Sequence, residues 1–273
     1  METLSQHRCH GGTLGYYSHA ATSTNCTMRF SAFVPEKPTG AGLLYLSGLT
    51  CTEDNFTVKA GAYRTANALG LTIIAADTSP RGDDVPDDAS ISLGKGAGFY
   101  VDATEAPWHT HYHMYSYCAK ELPALVAKEF AVTRFGLFGH SMGGHGALTI
   151  GLKHPELFRS LSAFAPICKP STDGWGPAAL TAYLGSDTAT WAAYDACTLA
   201  ATHGGALPEI LIDQGTADSA YIEGRLNPEA FDAACKTTGQ KLRLRFHEGY
   251  DHGYFFIQSF IDDHLHHHAA LLG

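Results

Sequence analysis

The segment Phe135-Gly136-Leu137-Phe138-Gly139-His140-Ser141-Met142-Gly143-Gly144-His145-Gly146-Ala147-Leu148 holds the residues best suited to covalent chemistry. Gly139, Ser141 and Gly143 form G-x-S-x-G within it. Roughly 0.2 chance matches are expected in a chain with 29 glycines, so the surroundings must decide the meaning of the motif. An apolar run precedes the serine and a helical pattern rich in glycine and alanine follows, which is the strand-to-helix turn that presents a nucleophile. A side chain two positions to either side would collide with the neighbouring strand or helix, and glycine at 139 and 143 avoids this.

A serine hydroxyl is a poor nucleophile at neutral pH, so a base must take its proton and an acid must hold that base in the right tautomer. In such a fold the chain order is serine, acid, histidine. Among the 16 histidines, His252 in Glu248-Gly249-Tyr250-Asp251-His252-Gly253 follows the last apolar run and precedes the final helical pattern. For the acid, the loop after Ile210-Leu211-Ile212-Asp213-Gln214-Gly215 offers Asp218, whereas Asp213 falls within or at the end of the strand; position favours Asp218. Asp251 adjoins His252 in sequence and is poorly aimed to orient it, so it reads as a loop-shaping residue. Two backbone N–H groups should face the developing oxyanion. Met142, after the nucleophile, supplies one, and Leu49 in Ser47-Gly48-Leu49-Thr50-Cys51 supplies the other, with Gly48 letting the backbone bend.

These residues need a scaffold, and the apolar pattern describes one. Met28, Phe30, Ala32 and Val34 keep a period of two, which suits an antiparallel entry. The runs Leu43-Leu44-Tyr45-Leu46-Ser47, Leu71-Thr72-Ile73-Ile74-Ala75-Ala76, Phe135-Gly136-Leu137-Phe138, Leu161-Ser162-Ala163-Phe164-Ala165, Glu209-Ile210-Leu211-Ile212-Asp213 and Leu242-Arg243-Leu244-Arg245-Phe246 fit strands covered on both faces. Helical patterns lie near 57–69, 116–130, 143–153, 227–238 and 254–269, with Pro123 kinking or starting the second. Strand and helix in alternation predict a largely parallel sheet between helices, with ligands at the carboxyl ends of the strands. The break around Ser79-Pro80-Arg81-Gly82 is a loop rather than a linker, so residues 1–273 are expected to form a single domain.

Composition narrows the function. Charged residues are 16% of the chain against ~25% in average usage, which excludes charge-driven disorder. A net charge of −9 removes the electrostatic footprint for nucleic acid or anionic membranes. No apolar stretch reaches the ~18 residues of a membrane helix, and Met1-Glu2-Thr3-Leu4-Ser5-Gln6-His7-Arg8 lacks the apolar core of a signal peptide, so a cytoplasmic location is expected. Seven scattered cysteines without C-x-x-C suit reduced thiols.

Several blocks together resemble the S-formylglutathione hydrolase, or esterase D, family. They are Leu46-Ser47-Gly48-Leu49-Thr50-Cys51-Thr52-Glu53-Asp54-Asn55-Phe56, Asp77-Thr78-Ser79-Pro80-Arg81-Gly82, Gly96-Ala97-Gly98-Phe99-Tyr100-Val101-Asp102-Ala103-Thr104, the segment around Ser141, Ala163-Phe164-Ala165-Pro166-Ile167-Cys168 and Gly249-Tyr250-Asp251-His252. The resemblance runs over nearly the whole chain. It implies an α/β-hydrolase fold and hydrolysis of S-formylglutathione to formate and glutathione in formaldehyde detoxification, with no cofactor and no metal. It places the nucleophile at Ser141, the acid at Asp218, the base at His252 and the oxyanion donors at Leu49 and Met142. Trp175 matches a tryptophan beside the family's acyl site, and Cys51 a cysteine near the active site. A homodimer or larger homo-oligomer is also implied. The segment Asp88-Ala89-Ser90-Ile91-Ser92-Leu93-Gly94-Lys95 lacks an aromatic residue usual in the family, which puts the acyl or glutathione pocket in doubt, and Gly253 replaces a common serine.

A thioester carbonyl is electrophilic and its thiolate leaves readily, so such an enzyme needs positioning and an oxyanion hole more than a metal. Lys59, Lys95 and Arg81 are candidates to hold the two glutathione carboxylates, against the alternative of plain surface charge. The alternative function is a broad small-acyl carboxylesterase or acyltransferase with the same triad. His109-x-His111-x-His113 and His264-x-His266-His267-His268 invite a metal reading, but no H-E-x-x-H accompanies them and a helix C-terminus favours cationic histidine by itself. Gly94-Lys95-Gly96-Ala97-Gly98 lacks the phosphate-loop frame and reads as a loop needing glycine conformations.

Overall fold

In the computed structural model, which describes residues 1–273, the apolar runs become the parallel part of a nine-stranded sheet. The strands are β1 (Glu2–Cys9), β2 (Gly12–Ala21), β3 (Cys26–Val34), β4 (Ala41–Leu46), β5 (Thr72–Ala76), β6 (Arg134–His140), β7 (Phe158–Phe164), β8 (Ile210–Gly215) and β9 (Leu242–His247). Their spatial order is β1-β2-β3-β5-β4-β6-β7-β8-β9. β1, β2 and β3 form an antiparallel entry that joins β5 antiparallel, and every pairing from β5 to β9 is parallel.

Side-chain alternation along β6 and β7 shows which helix covers which face. A Cβ at Gly136 would meet His268 Nδ1 of the closing helix Tyr254–Leu272, and the Phe138 ring lies 5.4 Å from the His268 ring. On the opposite face, a Cβ at Gly139 would collide with Gly143 O of the helix Met142–Lys153, and one at Gly151 with Leu161. Odd and even residues thus pack against different helices, which is why β4, β5 and nearly all of β6 are buried on both faces. A core of 72 buried residues runs from Tyr17 to Leu272.

Several elements differ from the sequence expectation. β1 and β2 carried no clear signal: β1 is mostly exposed, and its pairing with β2 supplies the order. β9 is an edge strand whose two faces are only partly covered, as its alternating arginines require. The 57–69 pattern divides into Glu53–Lys59 and Tyr63–Leu69, because Gly61 turns the chain at φ +70°. The 116–130 pattern is one continuous helical stretch, Met114–Ser116, a π-helical turn Tyr117–Glu121 and Leu122–Phe130, with Pro123 directly after the π turn rather than starting the helix. Gly176–Leu184 and Ala196–His203 were not anticipated, since their alanine- and threonine-rich stretches lack strong periodicity. Asp195, whose carboxylate accepts the Thr198 N–H at 2.8 Å, is the capping signal that marks the second.

The closing helix also corrects the reading of its histidines. It continues past them to Leu272, and His264 and His268 occupy its buried face. His268 bonds Ser160 Oγ at 2.7 Å and Ser162 Oγ at 2.8 Å; His264 bonds Ser162 Oγ at 2.8 Å and Asp213 Oδ2 at 3.2 Å. Burial lowers the pKa of both, and lowers that of His267 to about 4. These rings serve the packing as neutral groups rather than as exposed cations. Of the other run, His111 bonds Thr24 O at 2.9 Å and His113 bonds His109 O at 2.6 Å.

Burial also lowers His145 to about 4 and takes His140 well below its ordinary value. In the unfolded chain these imidazoles return to about 6.5. Below that pH the unfolded chain therefore binds more protons than the folded one. The stability that neutral burial leaves intact at pH 7 is lost as pH falls from about 6.5 towards about 4. Urea unfolding at pH 7.5 and 5.0 should show a clearly lower midpoint at the acid pH; equal midpoints would contradict this account.

Candidate active site

Ser141 follows β6 and stands at the N-cap position of the helix Met142–Lys153 with φ +58° and ψ −120°, a backbone conformation that L side chains rarely adopt. It is held there by its own N–H, which donates to Phe164 O at 3.0 Å, and by its carbonyl, which accepts from His145 N at 3.0 Å and Ile167 N at 3.2 Å. The turn fits only because Gly143 has no side chain: a Cβ there would overlap Leu46 O at the end of β4. Thr50, Phe99, Tyr100 and Ala165 also have positive φ, and all lie in segments that buttress this turn. Strain gathered at one place in this way is characteristic of functional sites.

The structure brings Asp218 and His252 together from the loops after β8 and β9. His252 Nδ1 lies 2.6 Å from Asp218 Oδ2, and Asp218 is fully buried while 29% of the His252 side chain remains exposed. Asp218 Oδ1 accepts the N–H groups of Ala220 at 2.8 Å and Tyr221 at 3.3 Å, and Oδ2 also accepts Gln214 Nε2 at 3.1 Å. Burial raises the Asp218 carboxyl, but the hydrogen bonds from His252, Gln214 and the backbone outweigh it and hold the pKa below its ordinary value. Asp218 is therefore a carboxylate at neutral pH and fixes the proton of His252 on Nδ1, leaving Nε2 to accept. Asp251 accepts the Gly253 N–H at 2.9 Å and shapes the loop.

Asp213 has other partners. It is fully buried in β8, with Arg245 Nε and Nη2 on its two oxygens at 2.6 Å each and His264 Nε2 at 3.2 Å. Burial alone would raise its carboxyl, yet His264 and Arg245 hold it far below the usual range. Its strand position thus directs it to the closing helix rather than to His252.

The loop after β4 sits against the nucleophile turn: a Cβ at Gly48 would lie 3.1 Å from Ser141 Cβ. Three contacts pin this loop. Tyr100 Oη donates to Ser47 O at 2.8 Å, Thr50 N to Gly96 O at 2.8 Å, and Arg81 Nη2 to Cys51 O at 3.2 Å. The Thr50 and Cys51 amides are bonded within the protein, whereas the Leu49 N–H has no protein acceptor. The Met142 N–H starts its helix, where no carbonyl of the preceding turn can reach it. Cys51 is partly buried, and desolvation raises its thiol, so it is a weak rival to Ser141.

Arg81 differs from its sequence reading as a substrate ligand. Its guanidinium forms a two-pronged ion pair with buried Asp77 at 2.7 and 3.0 Å, which commits it to holding the loop. Trp175 precedes the helix Gly176–Leu184, with the Arg225 guanidinium 4.7 Å from its ring. Two participants escaped the sequence reading. Gln214 orients Asp218, and only its place beside Asp213 hinted at this. His140 is buried with neither ring nitrogen bonded, and its ring lies 4.5 Å from that of His252. Burial first and the neighbouring His252 second lower its pKa strongly, so no second cation forms beneath His252.

The chain is similar to several known proteins. A family model described as "Putative esterase" matches residues 21–267. The mouse (Mus musculus) S-formylglutathione hydrolase is 47% identical over all of this chain and 99% of its own, and the cattle (Bos taurus) enzyme is 48% identical with the same coverage. A solved S-formylglutathione hydrolase from Agrobacterium tumefaciens is 50% identical with a TM-score of 0.96, covering all of both chains. A fluorophosphonate-binding serine hydrolase from Staphylococcus aureus, 17% identical with a TM-score of 0.72, shares the fold.

Gly143→Ala tests the crowding at the turn. The added methyl must displace Leu46 O, so destabilisation of about 1–3 kcal/mol and slower labelling of Ser141 by a fluorophosphonate are expected. Unchanged urea midpoint and labelling rate would show that the turn does not depend on that contact.

Proposed function

The chain belongs to the S-formylglutathione hydrolase family of α/β-hydrolase esterases, and from that premise we propose that Ser141, His252 and Asp218 carry its reaction. It hydrolyses S-formylglutathione to formate and glutathione. The observation that carries the assignment is the 2.6 Å contact between His252 Nδ1 and Asp218, with the His252 ring 4.5 Å from that of His140, the residue before a serine held at φ +58°.

Ser141 Oγ attacks the formyl carbon as His252 Nε2 takes its proton. The carbonyl oxygen becomes an oxyanion that the N–H groups of Leu49 and Met142 stabilise. Collapse expels the glutathione sulfur, which takes the proton from His252 and leaves a formyl ester on Ser141. Water then attacks that ester while His252 takes its proton, and formate departs as the proton returns to Ser141 Oγ. Asp218 stays ionised throughout and stabilises the imidazolium. A thioester of the smallest acyl group suits a narrow pocket, which disfavours each added methylene by roughly 1–3 kcal/mol. Cys51 and Trp175 border that pocket in this reading; Cys51 is supported by its place in the pinned loop, Trp175 by the resemblance alone.

The same reading takes 1–273 as a single domain, supported by the core that runs from Tyr17 to Leu272. It places the enzyme in the cytoplasm, supported by seven free cysteines. No helix is long and apolar enough to cross a membrane. A homodimer or larger homo-oligomer belongs to the reading on the resemblance alone.

Purified protein should hydrolyse S-formylglutathione with a much higher kcat/KM than p-nitrophenyl acetate; equal values would favour a broad small-acyl carboxylesterase. A fluorophosphonate should label the wild type and not Ser141→Ala. His252→Ala and Asp218→Asn should remain folded by circular dichroism while turnover falls on the order of 10³-fold or more. Turnover retained by His252→Ala would move the base to another histidine.

A further inference from the structure

A cavity of about 640 Å³ opens beside His252, between the end of the helix Glu53–Lys59 and the start of the closing helix. Its volume is in the range of small-molecule sites. Asp251 and Gly253, the two neighbours of His252, line it together with Lys59, Tyr254, Phe255 and Gln258. Gln258 packs over Gly61, with its Nε2 3.3 Å from where a Cβ would stand, and so closes the floor between the two helices.

Of the three basic residues that the sequence offered as ligands for glutathione, this geometry distinguishes one. Arg81 is occupied by Asp77. Lys95 stands in the turn whose N–H binds Asp87 at 2.8 Å, with that carboxylate as its charged neighbour. Lys59 is exposed and joins no ion pair; its Nζ lies 5.7 Å from the centroid of the Tyr254 ring, two residues beyond His252. Asp251 is likewise exposed, joins no ion pair and has one oxygen on the Gly253 N–H, leaving the other to solvent. Phe255, 83% exposed, adds an apolar surface to the same groove.

We propose that this groove is the leaving-group subsite, in which Lys59 binds a carboxylate of the glutathione moiety and Asp251 its ammonium group. The proposal rests on His252 as the residue that protonates the departing sulfur. Because that proton comes from Nε2, the sulfur and the tripeptide attached to it must lie on the His252 side of the nucleophile, and the groove begins one residue from His252 on either side. S-formylglutathione carries two carboxylates and one ammonium, a pattern that an unpaired lysine and an unpaired carboxylate lining one groove complement. The local cation also resolves how a chain of net charge −9 attracts an anionic substrate.

The test compares S-formylglutathione with S-formyl-N-acetylcysteamine, a thioester without carboxylates, in wild type, Lys59→Met, Lys59→Arg and Lys95→Met. Lys59→Met should raise KM for the glutathione thioester about two- to fivefold with kcat little changed, the size expected for one solvent-exposed ion pair. The loss should be confined to that substrate, Lys59→Arg should restore most of it, and Lys95→Met should match wild type. Raised ionic strength should increase the wild-type KM and leave that of Lys59→Met nearly constant. An unchanged KM in Lys59→Met, or an equal loss on both thioesters, would overturn the subsite. A wild type that does not prefer the glutathione thioester would instead overturn the substrate reading, which separates the two failures.

Discussion

The carbonyl oxygen of Leu46 and the missing side chain of Gly143 meet where β4, β6 and the helix Met142–Lys153 converge, and the architecture of the site depends on that approach. With the helix pressed this close to the strands, Ser141 is forced to φ +58° and its side chain must leave the sheet at its carboxyl edge. The same approach brings the loop after β4 against the serine, so that a side chain at Gly48 would crowd Ser141 Cβ, and the Leu49 N–H is left without a protein acceptor. Strain of this kind persists only when surroundings over-determine it. Here Phe164 O from β7, Tyr100 on Ser47 O and Arg81 on Cys51 O supply the restraint.

Electrostatics divide the labour between two aspartates five residues apart. Asp213 lies in the strand and points into the interface with the closing helix, where Arg245 and His264 satisfy it. Asp218 lies beyond the strand, caps the short helix Ser219–Ile222 with Oδ1 and turns Oδ2 to His252. Both are buried carboxylates kept ionised by hydrogen-bond donors, but only the second is bonded to His252. Burial lowers the pKa of His140 and His145, so the imidazole of His252 can gain a proton without a cation on the ring packed against it.

Net negative charge and an anionic substrate are compatible because field and contact act over different distances. At physiological salt, exposed charges beyond about 8 Å are largely screened, so the groups at the groove matter more than the total. Arg81 illustrates the difference between carrying charge and offering it: paired with Asp77, it holds the loop after β4 and has little field left for a ligand.

By itself the sequence determined the alternation of strands and helices, and it pointed to the glycine-flanked turn at Ser141 and to the loops that carry Asp218 and His252. These are local: a glycine two residues from a serine, an apolar run of five, or a loop histidine after the last strand is visible without knowing what lies opposite. The structure alone decided which residues share an environment. β1 and β2 were illegible because their order comes from pairing across the sheet; β9 was legible as a strand, but its place at the sheet edge, with both faces only partly covered, was not, because coverage depends on neighbours that the local pattern does not name. Gln214, His140 and the separation of Lys59 from Arg81 were hidden for the same reason. Each role depends on distances between segments remote in the chain, and a residue type does not reveal whether its charge or hydrogen-bonding capacity is already taken. Only the packed fold sets those distances, and with them which groups remain free to meet a substrate.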